Sequence, residues 1–495
     1  MDGVARRVWL VEVTTTTGRV RGIWRGTSAA FLGIPFAEPP VGPLRFAAPV
    51  PHRPWVGVRD ATRYGATPQR GGDGGVTLIP EPSYPGESTL NVNVFTPAPG
   101  GAPELPVLVY IHGGGFLTGS PSSPWYDGAG FNRDGVVTVS VSYRLGFEGF
   151  GWVEDGTQNR GVLDWLLALE WVQENIAAFG GDPGRVTLTG QSAGGGAVLT
   201  LLGMPRAQHL FARAYSMSGV YADIPADAAR ATARAVAQEA GVDPTVAGFS
   251  SLSEDALRAA QDAAPSRGAR SGAIATLRSM LDEGLSFGPV VDGELITRPT
   301  PESYGSGVGG DKPLLLSTAE DEFTFIFTAA RSKLRFIPAA LLLSQIGVRP
   351  QVRRAWLAAN PGPRREGTAA VVGRYVTDRV FRSLALRVAE VRARSASAPT
   401  WLSLFTWRSP THGLALHCID VPLVFDNLDA ERVPQMLGDE PPRELGHELH
   451  CDVVEFVRTG SVSWPRFEPA AAMTKRYDVP TAVVRDGYAP VRPLL

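Results

Sequence analysis

A serine between glycines is the candidate nucleophile of this sequence. The pentapeptide Gly190-Gln191-Ser192-Ala193-Gly194 follows a short apolar run at residues 186–189 and precedes an apolar segment that starts at residue 197. A sharp strand-to-helix turn exposes the hydroxyl of such a serine, and the helix N-terminus beneath it favours developing negative charge. A glycine-rich helix start with a capping serine is the alternative interpretation. The strand before the pentapeptide and the apolar segment after it favour the nucleophile.

A second glycine-rich segment stands where an oxyanion could be bound. The sequence His112-Gly113-Gly114-Gly115-Phe116 comes directly after the β-branched run 107–111. Backbone amides in this pattern can donate to an oxyanion, and glycine is needed because a reacting carbonyl must approach the main chain without a Cβ in the way. A flexible glycine loop is the alternative. Two such segments, each placed after a strand, favour acyl-transfer chemistry at the serine.

A serine nucleophile needs a general base, and four histidines near the end of the chain are candidates. His447 and His450 fall in a polar run without the H-E-x-x-H spacing of metal ligands, so we expect both on the surface of a helix. His412 and His417 both follow the strand-like run 401–405. Residue chemistry leaves the choice between these two open.

The base in turn needs an acid to orient it, and in this chain order the acid comes between the serine and the histidine. Three adjacent carboxylates, Glu320-Asp321-Glu322, follow the strand-like run 313–317. A solvated acidic turn is the alternative interpretation. Which of the three would orient the base stays open on chemistry alone.

Strands and helices alternate in the segment that contains these residues. The β-branched runs 107–111 and 136–141 predict strands, and the apolar spacing of residues 161–179 predicts a helix. Such alternation predicts an α/β fold with a mainly parallel central sheet and helices on both faces. The alanine- and arginine-rich stretches at about 226–285 and 327–398 predict helical insertions that form a cap or wall. We expect residues 1–495 to form one domain.

Composition limits the possible partners. The 495 residues are 44% hydrophobic and 19% charged, which indicates a globular protein, and the net charge of −2 gives no reason to expect a nucleic-acid partner. No window approaches the roughly 18 apolar residues of a membrane span, and the start lacks the apolar run of a signal peptide. Two cysteines in so long a chain favour a reducing compartment. We therefore expect a cytoplasmic protein without a membrane partner.

Ordered segments along nearly the whole chain resemble the type-B carboxylesterases, the cholinesterase/carboxylesterase family of α/β-hydrolases. The densest match runs from residue 159 to 195 and includes Phe179-Gly180-Gly181-Asp182-Pro183. The resemblance implies that Glu322 is the acid and His417 the base. It also implies oxyanion donors and a serine that supports the acid–base pair, at these positions: Gly114, Gly115, Ala193 and Ser218. Two structural ion pairs are implied as well, Arg45 with Glu87 and Arg144 with Asp164.

The resemblance implies hydrolysis of small, mostly neutral esters through an acyl-serine intermediate, with no metal and no organic cofactor. Phe116 and Phe323 are expected to line an apolar substrate pocket, and Phe323 replaces the glycine that usually follows the acid. Carbamate or amide hydrolysis by the same residues is the first alternative. A non-catalytic binding module is disfavoured, because serine, histidine, glutamate and glycines are all present. Both a monomer and a homodimer are compatible with the sequence.

Overall fold

The computed structural model describes residues 9–68, 78–264 and 284–495, together with 274, 277–278 and 281–282. The first eight residues, part of the start that lacks the apolar run of a signal peptide, lie outside the described residues. So does part of the predicted helical stretch at 226–285. Within the described ranges, no helix is both long enough and apolar enough to cross a membrane.

Strands and helices alternate along the described chain. The strands are β1 Leu10–Thr15, β2 Gly18–Arg25, β3 Ser28–Pro35, β4 Val58–Asp60, β5 Asn91–Thr96, β6 Leu105–Ile111, β7 Val137–Val141, β8 Gly181–Gln191, β9 Arg213–Met217, β10 Ile224–Pro225, β11 Val290–Val291, β12 Leu314–Ala319, β13 Thr400–Phe405, β14 Thr474–Tyr477 and β15 Ala482–Val484. The α-helices are Ala129–Arg133, Gly146–Phe150, Arg160–Asn175, Ala193–Leu202, Ala226–Ala240, Val246–Ser250, Glu254–Ala263, Thr300–Gly305, Arg331–Leu334, Ala339–Gln345, Pro350–Ala359, Pro361–Glu366, Thr368–Thr377, Ser383–Ser395, Val421–Val424, Val433–Leu437 and Arg443–Thr459. A π-helical turn, Asp378–Arg382, connects two of these helices.

Most of the described strands form one large sheet in the order β1-β2-β3-β5-β7-β6-β8-β9-β12-β13-β14-β15, with β4 parallel beside β2. Strands β10 and β11 pair in a separate two-stranded parallel sheet. From β7 to β14 all neighbouring strands are parallel. The edges are antiparallel, from β1 to β7 and from β14 to β15. The predicted mainly parallel central sheet is therefore confirmed.

The two faces of the sheet bury different hydrophobic cores. In β6, Val107, Val109 and Ile111 belong to one core, while the alternating Leu108 and Tyr110 belong to the other. This period of two is what an interior strand covered on both faces requires. Helices Arg160–Asn175 and Ala193–Leu202 cover the first face, and helix Arg443–Thr459 covers the second. Burying each valine or leucine side chain in these cores stabilises the fold by about 1.5–3 kcal/mol.

The two predicted insertions contain helices that pack in different ways. The first includes helices Ala226–Ala240 and Glu254–Ala263, whose apolar residues join the first core. The second includes helices Pro350–Ala359 and Thr368–Thr377, which share a smaller core around the buried Trp356. The second insertion therefore carries a hydrophobic core of its own.

The resemblance predicts two structural ion pairs, and the structure contains one of them but not the other. Arg144 pairs with Asp164, with 2.7 Å between Nη2 and Oδ1, and both side chains are buried. Arg45 does not pair with Glu87, which is exposed. Its Nε instead lies 2.7 Å from Oε1 of Glu148, because helix Gly146–Phe150 brings that carboxylate to it. The predicted Arg45–Glu87 pair is wrong.

Candidate active site

Ser192 occupies the turn between strand β8 and helix Ala193–Leu202. Its backbone has φ 59° and ψ −124°, a conformation that side-chain-bearing residues rarely adopt, and its amide donates to the carbonyl of Met217 at 2.9 Å. A Cβ on Gly194 would lie 2.0 Å from the carbonyl oxygen of Ile111, so only glycine fits there. The strained turn is held by close backbone packing against β6, and Ser192 remains partly exposed.

Neighbouring parallel strands bring an acid and a histidine to the same edge of the sheet. Glu322 follows the carboxyl end of β12, and His417 lies in the connection after the adjacent strand β13. Backbone hydrogen bonds tie the two connections together, because the His417 amide donates to the Glu322 carbonyl at 3.0 Å. The sheet and these bonds fix the separation of the two side chains.

The three side chains form a continuous hydrogen-bonded chain. Nε2 of His417 lies 2.9 Å from Oγ of Ser192. On the other side of the ring, Nδ1 lies 2.5 Å from Oε2 of Glu322. Glu322 is fully buried and His417 is 3% exposed, so these hydrogen bonds are shielded from water except near the serine. A serine hydroxyl, an imidazole and a carboxylate in this order can transfer a proton from the hydroxyl to the ring.

The second carboxylate oxygen of Glu322 is also bound. Oε1 accepts a hydrogen bond of 2.6 Å from Oγ of Ser218 and one of 2.7 Å from the amide of Ala319. Ser218 is fully buried and has a positive φ of 46°. These two donors leave Oε2 free to face the histidine, and they fix the orientation of the carboxylate.

Electrostatics favours protonation of the histidine ring. Burial alone would lower the pKa of His417, but interactions with the adjacent Cys418 and with the Glu322 carboxylate against Nδ1 together outweigh it, and the pKa lies well above the ordinary 6.5. Burial raises the pKa of the adjacent Cys418 thiol, so that side chain stays neutral. Burial, with a smaller contribution from the charge of Glu322, raises the pKa of Asp420 to about 7. Glu322 is therefore the charge that stabilises an imidazolium here.

The glycine loop after β6 lies directly against the serine. A Cβ on Gly113 would lie 3.0 Å from Cβ of Ser192, which shows how closely the loop approaches the turn. Gly114 and Gly115 are partly exposed. No described residue accepts a hydrogen bond from the amides of Gly114, Gly115 or Ala193. Amide donors without an internal partner beside a serine hydroxyl are suited to bind a developing oxyanion.

The other candidate histidines lie away from Ser192. His412 is exposed, and its Nε2 lies 2.9 Å from the carbonyl of Gln435. His447 lies on the exposed side of helix Arg443–Thr459. His450 of the same helix is fully buried, with Nδ1 2.7 Å from the carbonyl of Val424. The predicted surface position of His450 is wrong, because the helix turns this residue toward the second core.

Of the two phenylalanines expected to line the pocket, only one is accessible. Phe116 is fully buried and packs on Phe150 and Trp165, with centroids 5.0 and 5.9 Å away. It supports the glycine loop from the core and does not line the pocket, so that expectation is corrected. Phe323 is partly exposed, and its ring lies 5.0 Å from the imidazole of His417.

Sequence reasoning missed a further ring against the histidine. Phe381 lies in the π-helical turn Asp378–Arg382 of the second insertion, 5.0 Å from the imidazole of His417 and 4.9 Å from Phe323. A π-helical turn is a rare feature that often marks a functional site. Its i→i+5 bonding does not show in a residue pattern, so no signal in the sequence could have identified Phe381.

A mainly parallel sheet of this order, with a serine at a strained strand-to-helix turn on its carboxyl edge, defines the α/β-hydrolase class of proteins. The sequence pattern of the carboxylesterase family matches residues 10–477. The chain belongs to the carboxylesterase family and is an enzyme of that class.

Known proteins similar to this chain agree with that assignment. It is 33% identical to the para-nitrobenzyl esterase of Bacillus subtilis (strain 168) over 494 residues, which are 96% of each protein. It is 36% identical to the phenmedipham hydrolase of Pseudarthrobacter oxydans over 485 residues, 92% of each. A crystal structure of a Geobacillus stearothermophilus carboxylesterase matches with a TM-score of 0.82 and 32% identity, covering 97% of this chain and 99% of that one.

Proposed function

We propose that Ser192, His417 and Glu322 are the catalytic triad with which this carboxylesterase hydrolyses small, mostly neutral esters. The observation that carries the proposal is the continuous chain of hydrogen bonds, 2.9 Å from serine to histidine and 2.5 Å from histidine to glutamate. Among the described residues, no other candidate histidine bonds both to Ser192 and to a carboxylate. His412 and His450, for example, each contact a backbone carbonyl away from the serine.

In the first half of the reaction Ser192 attacks the ester carbonyl. Nε2 of His417 accepts the hydroxyl proton as the Oγ–C bond forms, and the resulting imidazolium is stabilised by Glu322. The ring then donates this proton to the leaving alcohol, and the acyl group remains on Oγ. Ser218 and the Ala319 amide hold the glutamate in place throughout.

The negative charge that develops on the carbonyl oxygen needs donors that are already oriented. We assign this role to the amides of Gly114, Gly115 and Ala193, because no described residue accepts their hydrogens and they flank Ser192. One such donor contributes about 3–4 kcal/mol to transition-state stabilisation. Helix Ala193–Leu202 directs the positive end of its dipole at the same position.

Water completes the cycle by attacking the acyl-serine. His417 accepts a proton from the water and returns it to Oγ of Ser192, and the carboxylic acid leaves. Every step is proton transfer or acyl transfer among this chain's own side chains, the substrate and water. The phenyl ring of Phe323, which is partly exposed beside His417, favours uncharged substrate groups. The cytoplasmic location remains a prediction from the sequence.

Replacing the nucleophile tests the proposal directly. Ser192→Ala should abolish hydrolysis of short-chain nitrophenyl esters and labelling by a fluorophosphonate, while the circular dichroism spectrum stays unchanged. Removing a member of a serine triad lowers kcat by roughly 10⁴- to 10⁶-fold. Near-native turnover in this variant would overturn the assignment.

The choice of base has a matched control within the same loop. His417→Ala should lower kcat severely, whereas His412→Ala should be mild, because His412 is exposed and contacts only a backbone carbonyl in the described structure. The opposite result would assign the base to His412 and contradict the proposal.

Carbamate hydrolysis by the same residues is the second candidate. The attack step is shared, and only the acyl group and the leaving group differ. Phenmedipham is a suitable test compound, because a relative that is 36% identical carries its name. Comparison of kcat/KM for matched nitrophenyl esters and carbamates, with phenmedipham included, decides between the two. A higher kcat/KM for the ester of each matched pair supports ester hydrolysis as the main activity.

A further inference from the structure

A cavity opens at the carboxyl edge of strands β12, β13 and β14, separate from the triad. Its volume is about 630 Å³, and none of Ser192, His417 or Glu322 lines it. Its lining includes three arginines, two carboxylates and one indole: Arg382, Arg408, Arg476, Glu320, Asp478 and Trp407. A volume between about 300 and 1,000 Å³ is typical of small-molecule sites.

Arg476 lines this cavity, and its guanidinium has no partner among the described residues. It lies in strand β14 and is half-buried, and no described residue forms an ion pair or side-chain hydrogen bond with its guanidinium. Its Nε is buried and unbonded. A half-buried guanidinium without a partner is unfavourable, since burying a charge costs free energy unless it is paired.

The other two arginines are only partly satisfied. Arg382 is 1% exposed, and its Nη1 donates to Oδ1 of Asp378 at 2.7 Å, while its Nε is buried without a partner. Arg408 lies 3.2 Å from Glu366 and 3.5 Å from Asp321. Each guanidinium has five N–H donors, so donors remain on both residues for a ligand.

The two carboxylates that line the cavity are already engaged. Oε1 of Glu320 lies 3.3 Å from Nη1 of Arg374. Asp478 accepts a hydrogen bond of 2.8 Å from the hydroxyl of Thr406 and one of 2.9 Å from the amide of Val479. The lining therefore holds three arginines against two carboxylates, and neither carboxylate is bonded to Arg476.

We propose that this cavity binds a small oxyanion, a carboxylate or phosphate group, through Arg476 with Arg382 and Arg408. Guanidinium groups bind both kinds of oxyanion with paired N–H donors, which supplies the partner that Arg476 lacks. The anion has two sources that share this chemistry, namely a carboxylate such as the enzyme's own acid product, or free phosphate. The indole of Trp407 offers a flat apolar surface to the organic part of a carboxylate ligand.

Isothermal titration of the full chain tests the site with inorganic phosphate in one arm and benzoate in the other. We expect saturable binding of at least one of the two anions. Binding of benzoate would show that the site accepts a carboxylate, and binding of phosphate would show that it accepts free phosphate. Arg476→Gln should weaken that binding about tenfold or more, since it removes charge-assisted hydrogen bonds. Arg485→Gln is the matched control, because Arg485 is exposed and, among the described residues, donates only to the carbonyl of Ala470.

Nitrophenyl ester turnover provides the folding check, because none of the three arginines contacts Ser192 or His417 in the described structure. If Arg476→Gln does not fold, Arg408→Gln replaces it, with the same tenfold loss expected. The absence of binding in both arms at tens of millimolar would overturn the proposal. So would equal binding by the wild-type protein and the folded arginine variant, since the anion would then bind elsewhere.

Discussion

The phenyl ring of Phe381 lies against the imidazole of His417, with 5.0 Å between the ring centroids and 41° between the ring planes. Phe323 contacts the same imidazole at 5.0 Å, with the rings inclined by 68°. The turn that carries Phe381 is anchored by the buried ion pair of Asp378 and Arg382, and the indole of Trp356 donates to Asp378 at 2.9 Å. The second insertion thus fixes one side of the histidine.

Loss of this aromatic contact should loosen the imidazole of His417, the proposed base. Phe381→Leu keeps most of the apolar volume, and we expect kcat/KM for a short nitrophenyl ester to fall by about two- to tenfold, because such aromatic pairs contribute about 0.5–1.5 kcal/mol. The acid limb of the pH profile should also shift, since the environment of His417 changes. Phe336→Leu is the control, because Phe336 is 76% exposed. Equal kinetics and equal pH profiles in the two variants would contradict a positioning role for Phe381.

The proposed acid of the triad, Glu322, should control the pH range of activity. Cys418 and Glu322 together raise the pKa of His417 well above 6.5, against the opposing effect of burial, so kcat/KM of the wild-type enzyme should fall toward acid with a midpoint above 6.5. Glu322→Gln removes the charge that stabilises the imidazolium. The pKa of His417 should therefore drop and the acid limb should move to lower pH.

The same variant should lose turnover as well. The amide cannot hold the ring in the required tautomer, so we expect the plateau to fall by roughly 10³- to 10⁴-fold. Steady-state kcat/KM measured from about pH 5 to about pH 9 checks both effects. An unchanged acid limb in Glu322→Gln would show that this carboxylate does not set the pKa of His417.

Local patterns made the serine turn and the glycine loop predictable. The backbone conformation at Ser192 depends on residues next to it, such as Gly194, and these can be read in order along the chain. The alternation of β-branched runs with apolar helical spacing likewise predicts the parallel centre of the sheet. The position of His417 depended on the family resemblance, since His412 lies in the same loop and has the same chemistry.

Contacts between distant segments were not predictable in the same way. Arg45 pairs with Glu148 because a short helix places that carboxylate near it, and the sequence around Arg45 does not encode this. His450 lies in a polar run, yet a helix buries one side whatever the average polarity of its residues. Phe381 reaches His417 only because the second insertion folds back onto the sheet edge. These relationships depend on tertiary packing, which residue types and spacing leave undetermined.

The buried ion pair of Arg144 and Asp164 should contribute strongly to the free energy of unfolding. Asp164 is fully buried and accepts from Nη2, Nε and the backbone amide of Arg144, at 2.7, 2.9 and 3.0 Å. Asp164→Asn leaves the guanidinium buried without its counter-charge, and we expect a loss of about 3–5 kcal/mol in the free energy of unfolding.

Urea denaturation with Glu12→Gln as the control checks this value. Glu12 and Arg21 form an exposed pair with 2.8 Å between Oε1 and Nη2, and such pairs contribute about 0–1 kcal/mol. If Asp164→Asn costs no more than Glu12→Gln, the buried pair does not have the structural role that its geometry indicates.

Because the backbone packs closely around Gly194, a single added methyl group there should separate Ser192 from the glycine loop. An alanine Cβ there would lie 2.0 Å from the carbonyl oxygen of Ile111 and 2.8 Å from that of His112. Both are backbone atoms, so the serine turn itself must move away from β6. A displacement of about 1 Å at a catalytic group lowers the rate by roughly 100-fold. We therefore expect Gly194→Ala to lower kcat/KM by about that factor, and to lower the melting temperature as well.

Gly362→Ala is the control, because no atom lies within 4 Å of its added Cβ and its φ is not positive. Unaltered kcat/KM in Gly194→Ala would contradict the prediction, since it would show that the methyl group is accommodated without displacing Ser192 from the glycine loop.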